Sequence, residues 1–428
     1  MPRTDKKPWT VMVYMVAESS DEFERDARAD LDEMRAGLAA LTDEEADRLH
    51  VVALLDRPQP HPPVFCVVKK AGIEANVCPA VLGHSLGAFG EHCIRNYPAK
   101  NNLLVLWGHG EGIDWKQRAF GRGNGKGFGT GPSKLSIKMI RDALTSLEEV
   151  LNGRKLVVGF DACLMGMAEI HHEIQKCLNW VIAPADEIPL QGWPYTEIVA
   201  ELGRNKGGQF DGPKGQSQLA SSIVNKCVES YERSRVNLKV GFSGSDLSKC
   251  ANLLTAMNGL VKKLKGNLGL ANVLRDVKAA RREAQDFKEK AYVDLAFFCF
   301  QLYQRLKWNE AKSVLAVLEK LAPKKTHRRF SRDYPPPYIE EACSVNICFP
   351  EETTWERVKD PKDPSKYEDK INLALTAPDQ NLRIHWKAYQ ELGFNAGFDP
   401  DKPLGGDTWM SFLMAFWTAC GAPDLSED

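Results

Sequence analysis

The chain has 428 residues, 43% of them hydrophobic and 26% charged, and its 56 Lys and Arg against 57 Asp and Glu leave a net charge of −1. That length carries a sizeable core in one large or two moderate domains, and the balanced charge gives no global reason to expect nucleic acid or an anionic membrane as a partner. No apolar run approaches the ~18 residues needed to cross a bilayer.

Met1 to Lys7 is basic and Trp9 to Ala17 apolar, the outline of a signal peptide. Asp5 interrupts the basic part, however, no small-x-small cleavage site follows, and Glu18 and Asp21 come too soon. Thr10, Val11, Val13 and Tyr14 suit a first strand instead. The eleven cysteines contain no CxxC pair, and with no signal peptide the expectation is reduced thiols and a cytoplasmic protein. Asp21 to Ala40 places Phe23, Ala27, Leu31 and Met34 at helical spacing. Strands are expected at Leu49–Asp56 and Val64–Lys69, and strand, helix, strand is how a parallel sheet begins.

Gly83-His84-Ser85-Leu86-Gly87 matches the G-x-S-x-G elbow of serine hydrolases, which requires a strand running straight into it. Cys78 to Leu82 is short and carries Pro79, which a central strand excludes. Ser85 reads equally as the N-cap of a helix over Leu86–Tyr97.

Two junctions then stand out. The apolar run Asn102–Trp107 ends in Gly108-His109-Gly110, and Leu156–Phe160 ends in Asp161-Ala162-Cys163. Both runs read as buried strands. A helix is expected over Leu135–Leu151 as the crossover and another over Leu164–Cys177. Cys163 then lies outside a strand's carboxyl end, where α/β folds hold their chemistry, and near a helix N-terminus, which favours thiolate. Parallel neighbours would bring His109, roughly 50 residues upstream, to the same sheet edge as Cys163. The adjacent pair His171-His172 points about 100° apart on its helix and forms no shared ligand face. Between the two junctions, glycine alternates with other residues from Gly121 to Gly131, a backbone that is costly to fix.

Further on, Trp180–Pro184 is expected as a strand ending in Ala185-Asp186-Glu187, Gln216–Arg233 as a helix and Asn237–Ser243 as a strand. From Asp246 helical periodicity dominates to Leu321. Pro323–Arg332 is locally basic and precedes three prolines, which reads as an exposed loop, with a docking patch or second cleavage site as the alternative. Cys343–Phe349 is expected as a strand returning to a sheet, and Trp409–Trp417 as a packed helix.

The Trp107-Gly108-His109-Gly110 and Asp161-Ala162-Cys163 motifs, in that order, resemble the clostripain family of cysteine peptidases. The likeness extends to Trp9–Met15, Gly192-Trp193-Pro194-Tyr195, Ser243–Lys249, Tyr292-Val-Asp294-Leu295 and Ser344–Pro350. The resemblance implies a caspase-like three-layer α/β/α sandwich around a mostly parallel sheet, with a catalytic domain over residues 1–245 and a mainly helical region over 246–428 packed on it. It implies a cysteine endopeptidase acting on polypeptides, with Cys163 as nucleophile, His109 as general acid and the backbone N–H groups of Gly110 and Cys163 as the oxyanion hole. Family members cleave after Arg or Lys. Asp161 matches the pocket acid, Asp186 matches a second acid less closely, and Trp193 either walls the cleft or packs in the core. Activation by cleavage is implied in the segment holding Lys116, Arg118, Arg122 and Lys126, with Arg122 or Lys126 as the expected site and an upstream protease as a possible activator. No cofactor is required. Calcium assists some relatives, but no D-x-[DN]-x-[DN]-G loop is present. The alternatives are a serine hydrolase using Ser85, or a non-catalytic caspase-like scaffold.

Overall fold

A computed structural model describes residues 6–79, 82, 85–113, 135–176, 178–234, 239–284, 287, 291–324, 326–331, 338–350, 355–360, 363–371, 389, 391–397, 399, 402 and 404–420. The strands in chain order are β1 (Lys7–Val16), β2 (Leu49–Asp56), β3 (Val64–Lys69), β4 (Gly72–Val77), β5 (Ala99–Trp107), β6 (Leu156–Asp161), β7 (Leu178–Pro184), β8 (Gly241–Asp246), β9 (Tyr292–Asp294), β10 (Arg328–Phe330), β11 (Asn346–Cys348), β12 (Trp355–Asp360) and β13 (Asp363–Ile371). Nine of them form one sheet in the order β10-β8-β7-β6-β5-β1-β2-β3-β4. Its middle, β2-β1-β5-β6-β7, is parallel, and antiparallel strands close both edges.

Strand β1 shows why the sheet is buried on both faces. Trp9, Val11, Val13 and Met15 face one core and Met12, Tyr14 and Val16 the other, following the two-residue period of a strand. The segment with the outline of a signal peptide is thus the central strand. The Asp21–Ala39, Tyr195–Arg204 and Gly212–Arg233 helices cover the first face, and the Leu86–Asn96, Ile137–Ser146 and Cys250–Lys265 helices cover the second. The result is the α/β/α sandwich with helices accumulating toward the carboxyl end. Gly159, an awkward residue inside a strand, is required by packing: a Cβ there would lie 2.2 Å from the Trp193 ring.

Several expected elements differ in the structure. The Val64–Lys69 strand continues into β4 as a hairpin that apolar patterning did not show, because β4 is largely exposed. The crossover is two helices, Ile137–Ser146 and Glu148–Leu151. The strand expected at Asn237–Ser243 is β8, which starts four residues later and ends three later. The basic run is not loop throughout: it contains β10, whose Arg329 pairs with Glu229 at 2.6 Å and whose Arg328 pairs with Glu319, so these two charges are spent on neighbouring helices. Cys343–Phe349 holds β11, which pairs with β9 in a separate two-stranded ribbon and bridges to Met167 just past the end of β6.

One buried cluster runs from Met12 through Tyr292 and Phe349 to Trp417, so residues beyond 246 share a core with the first half. Asp294 ties them together. Its carboxylate accepts hydrogen bonds from the N–H groups of Phe297 (2.9 Å), Cys343 (2.9 Å) and Ser344 (2.8 Å). It therefore caps the Leu295–Leu306 helix while holding the chain that leads into β11. Asp294→Ala would leave three donors without this acceptor inside the protein, and is expected to cost about 3–5 kcal/mol. The measurement is the urea midpoint; a change below 1 kcal/mol would contradict it.

Candidate active site

Strands β5 and β6 pair in parallel with Trp107 opposite Asp161, and the Gly108 N–H donates to the Asp161 carbonyl at 3.1 Å. His109 and Cys163 each follow two residues later, so the ladder delivers an imidazole and a thiol to the same carboxyl edge. The two tips touch at Gly110, where a Cβ would stand 2.0 Å from the Cys163 carbonyl oxygen and 2.9 Å from its nitrogen. The structure thereby brings together His109, Gly110, Asp161 and Cys163, with Asp186 beside them: the Leu164 N–H donates to the Asp186 carbonyl at 3.2 Å.

The imidazole is held from the side of the first helix. Its ring stacks on Phe23 at 4.2 Å and 7°, and its Nε2 lies 3.4 Å from the Ser19 hydroxyl. Ser20 accepts the Phe23 N–H at 3.1 Å as the helix N-cap and so fixes the ring beneath His109. On the other side of the cleft, Tyr292 from the carboxyl-terminal half accepts the Ile113 N–H at 3.2 Å and donates to the Glu111 carbonyl at 3.1 Å. The loop after His109 is thus clamped by the far end of the chain.

The thiol does not sit at a helix N-terminus, contrary to the expected Leu164–Cys177 helix. The helix spans only Ala168–Ile174. The backbone turns at Cys163 and Leu164, and beyond the turn it is occupied elsewhere: the Gly166 N–H donates to the Pro184 carbonyl at 2.7 Å, and the Gly166 carbonyl accepts the Asn346 N–H at 2.7 Å. Leu164 adopts a left-handed φ of 63°, a strained conformation for a leucine directly after the cysteine. No dipole therefore lowers the thiol pKa. Burial pushes the Cys163 thiol up to about 11, offset in part by the Ile188 N–H, which donates to Sγ at 3.4 Å, and reinforced by the nearby carboxylates of Glu187, Asp186 and Asp161.

Asp161 leaves the strand on the opposite face from Phe160 and caps no helix. It is 3% exposed, and its Oδ2 accepts the Trp193 N–H at 3.0 Å and the Tyr195 hydroxyl at 2.9 Å. Its Oδ1 is buried without a hydrogen-bond partner. Burial raises its pKa to about 7 against those donors. Asp186 is also buried, with Oδ1 accepting the Glu187 N–H at 2.9 Å. Trp193 is 0% exposed; of its two readings, packing is the one its burial fits, and its contribution to the site is the N–H that holds Asp161. Ser85 accepts the Ala88 N–H at 3.2 Å as a helix N-cap, and among the described residues the strand before it, β4, ends at Val77. His171 is buried and unpaired, with burial lowering its pKa to about 3, and His172 points to Phe394. Among the described residues no group of three or more His, Cys, Asp and Glu is placed to hold a metal ion. Arg122 and Lys126, like Lys116 and Arg118, lie outside the described residues.

Sequence reading missed Ser19, Phe23, Asp30, Ile188 and Tyr195. Asp30 left a trace. It falls seven residues after Phe23, on the same helical stripe as Ala27, Leu31 and Met34, where a carboxylate is out of place. In the structure Asp30 is 4% exposed, and its Oδ2 accepts the Trp107 indole N–H at 2.6 Å.

A cysteine and a histidine carried past the ends of neighbouring parallel strands in an α/β/α sandwich define a caspase-like cysteine peptidase. The chain belongs to the clostripain family, whose model matches residues 13–324. Among solved structures it is similar to an inactive zymogen C11 protease from Parabacteroides distasonis, at 17% identity and a TM-score of 0.55, covering 82% of this chain and 94% of that one. It is likewise similar to a secreted C11 cysteine protease from Bacteroides thetaiotaomicron in complex with an irreversible peptide inhibitor, at 17% identity and a TM-score of 0.56, covering 81% of this chain and 93% of that one. At these identities the likeness is one of fold. No curated protein matches the chain.

Proposed function

We propose that this cysteine peptidase is an endopeptidase cutting after Arg or Lys, made as a zymogen and opened by cleavage in segment 116–131. Cys163 attacks the scissile carbonyl carbon while its proton passes to His109. The tetrahedral oxyanion is held by the N–H groups of Gly110 and Cys163. Collapse breaks the C–N bond, and His109 protonates the leaving amine, leaving a thioester on Cys163. Water, deprotonated by His109, then hydrolyses the thioester and restores the thiol. Side chains and water suffice for these steps, and no metal is part of the proposal.

The observation that carries the specificity is the buried, unpartnered Oδ1 of Asp161, two residues before the nucleophile. A carboxylate oxygen without a donor inside a protein is costly, and a guanidinium or ammonium is the partner that satisfies both its charge and its geometry. Asp186, past the end of β7 with its carbonyl on the Leu164 N–H, is proposed as a second acid for the same cation. The zymogen reading is supported by the resting thiol, protonated and held by Ile188, and by the inactive zymogen among the similar folds. Arg122 or Lys126 is the proposed cleavage site, cut by the chain itself or by an upstream protease. A reducing, cytoplasmic setting is proposed too, since the ten described cysteines are all free thiols.

The test combines a peptide panel with intact-mass analysis. Peptides ending in Arg or Lys at the cleaved position are expected to exceed Gln or Leu peptides in kcat/KM by roughly 100-fold or more, and Asp161→Ala to erase that margin. Wild type is expected to carry a nick after Arg122 or Lys126 that Cys163→Ala lacks. Equal rates on basic and neutral peptides would remove the specificity.

A further inference from the structure

Asp30 and Asp161 come from different elements, a helix and a strand end, yet reach the same point. A Cβ on Gly192 would stand 2.8 Å from Asp30 Oδ2 and 2.9 Å from Asp161 Oδ2. Glycine is doubly needed there, because its φ is +60°. The donors to the pair are neutral: the Trp107 indole to Asp30, and the Trp193 N–H and the Tyr195 hydroxyl to Asp161. Among the described residues neither carboxyl has a Lys or Arg partner. The titratable groups facing them are Asp26 and Glu33 on the Asp21–Ala39 helix, Tyr195 on the next, Cys227 and Tyr231 on the Gly212–Arg233 helix, and Cys163 past the end of β6. Each is an acid, neutral or anionic and never cationic, so none relieves the pair.

We infer that Asp30 is a further specificity-determining residue: it and Asp161 form a buried carboxyl pair that keeps one proton while the pocket is empty and releases it to solvent when the cationic side chain of the substrate enters. The inference rests on the Arg or Lys reading above and adds a residue and a proton to it. Two like charges in contact with apolar surroundings cannot both ionise cheaply. A substrate cation supplies the missing charge and makes the doubly ionised pair favourable. The direction of both shifts agrees: burial and the Asp161 charge hold the Asp30 carboxyl well above its usual range, and burial, with the Glu33 charge adding to it, takes Asp161 to about 7.

The sign of the pH effect follows. Protons and the substrate cation compete for the pair, so affinity for a basic substrate is full above about pH 7 and falls as pH drops through that value. Between pH 8 and pH 6, KM for an Arg peptide is expected to rise about tenfold, while KM for a Leu peptide stays flat. Asp30→Asn retains an oxygen for the Trp107 N–H and removes the pair; it is expected to shift the KM rise for the Arg peptide to lower pH. Calorimetry with an Arg-ending peptide aldehyde, repeated in buffers of different ionisation heat, is expected to show about one proton released by wild type at pH 6 and none by Asp30→Asn. If wild type prefers Arg or Lys and releases no proton, the inference is overturned and the specificity stands. The same holds if Asp30→Asn keeps the wild-type profile. If wild type shows no basic preference, both fall. Should Asp30→Asn fail to fold, Asp30→Ser takes its place, and a wild-type proton count in that variant overturns the inference.

Discussion

Cys163→Ala is expected to abolish peptide cleavage, with kcat falling on the order of 10⁴- to 10⁶-fold while the melting temperature stays near that of wild type. The nucleophile has no substitute within the described site. Ser85, the other residue with a hydrolase-like setting, has its hydroxyl occupied as a helix cap. The residue keeps part of its surface exposed, and Sγ accepts only a long hydrogen bond from the Ile188 N–H, so removing the sulfur opens no large cavity. The same geometry predicts how the intact chain meets an alkylating reagent. With the thiol pushed up to about 11, the thiolate fraction at neutral pH is small and grows tenfold for each pH unit. Iodoacetamide labelling of Cys163 is therefore expected to be slow at pH 7 and to accelerate steadily toward pH 10. The readout is the mass difference from Cys163→Ala, which subtracts the half-buried Cys420. Cleavage retained by the alanine variant would move the chemistry to another residue. Rapid labelling at pH 7 would mean that the resting thiol already shares its proton with His109.

The contrast between a silent thiol and a fold built for catalysis bears on what the sequence could show. The strands announced themselves because the sheet is apolar on both faces, and the two catalytic tips because short valine- and leucine-rich runs stop at glycine, histidine, aspartate and cysteine. The offset of the pair was legible too, since parallel register needs only the chain order. What did not show is what tertiary contacts decide. The helix expected from Leu164 begins late, because the Leu164 N–H is claimed by Asp186 and the Gly166 N–H and carbonyl by Pro184 and Asn346, and its dipole is withdrawn from Cys163. The run from Pro323 to Arg332 looks solvated because its charges are visible and the partners of Arg328 and Arg329, Glu319 on the helix before it and Glu229 a hundred residues back, are not. Asp294 and Tyr292 were visible only as landmarks. Their roles, a clamp on the chain before β11 and a prop under the loop after His109, need three dimensions.

Gly110→Ala is expected to lower kcat/KM about 10³-fold or more with a much smaller effect on stability. The argument is steric and local. The added Cβ would meet three backbone atoms, the Cys163 oxygen at 2.0 Å, the Cys163 nitrogen at 2.9 Å and the Ala162 carbonyl carbon at 3.0 Å, and none belongs to a side chain that could swing away. The tips of β5 and β6 must part. The ladder below them, which ends at Trp107 and Asp161, can remain paired, so the core is spared. What moves is the spacing between His109, the Gly110 N–H and Cys163, and a displacement of about 1 Å in such a constellation costs on the order of 100-fold, with loss of an oxyanion donor adding a comparable factor. Gly153→Ala is the control: its φ of +79° carries a backbone penalty of its own, but no atom lies within 4 Å of the added methyl, and the position precedes the amino end of β6, away from the strand tips. It is expected to cost about 1 kcal/mol of stability and no activity. Equal activity in the two variants would mean that the strand tips can part without consequence, and that the contact at Gly110 has no part in the chemistry.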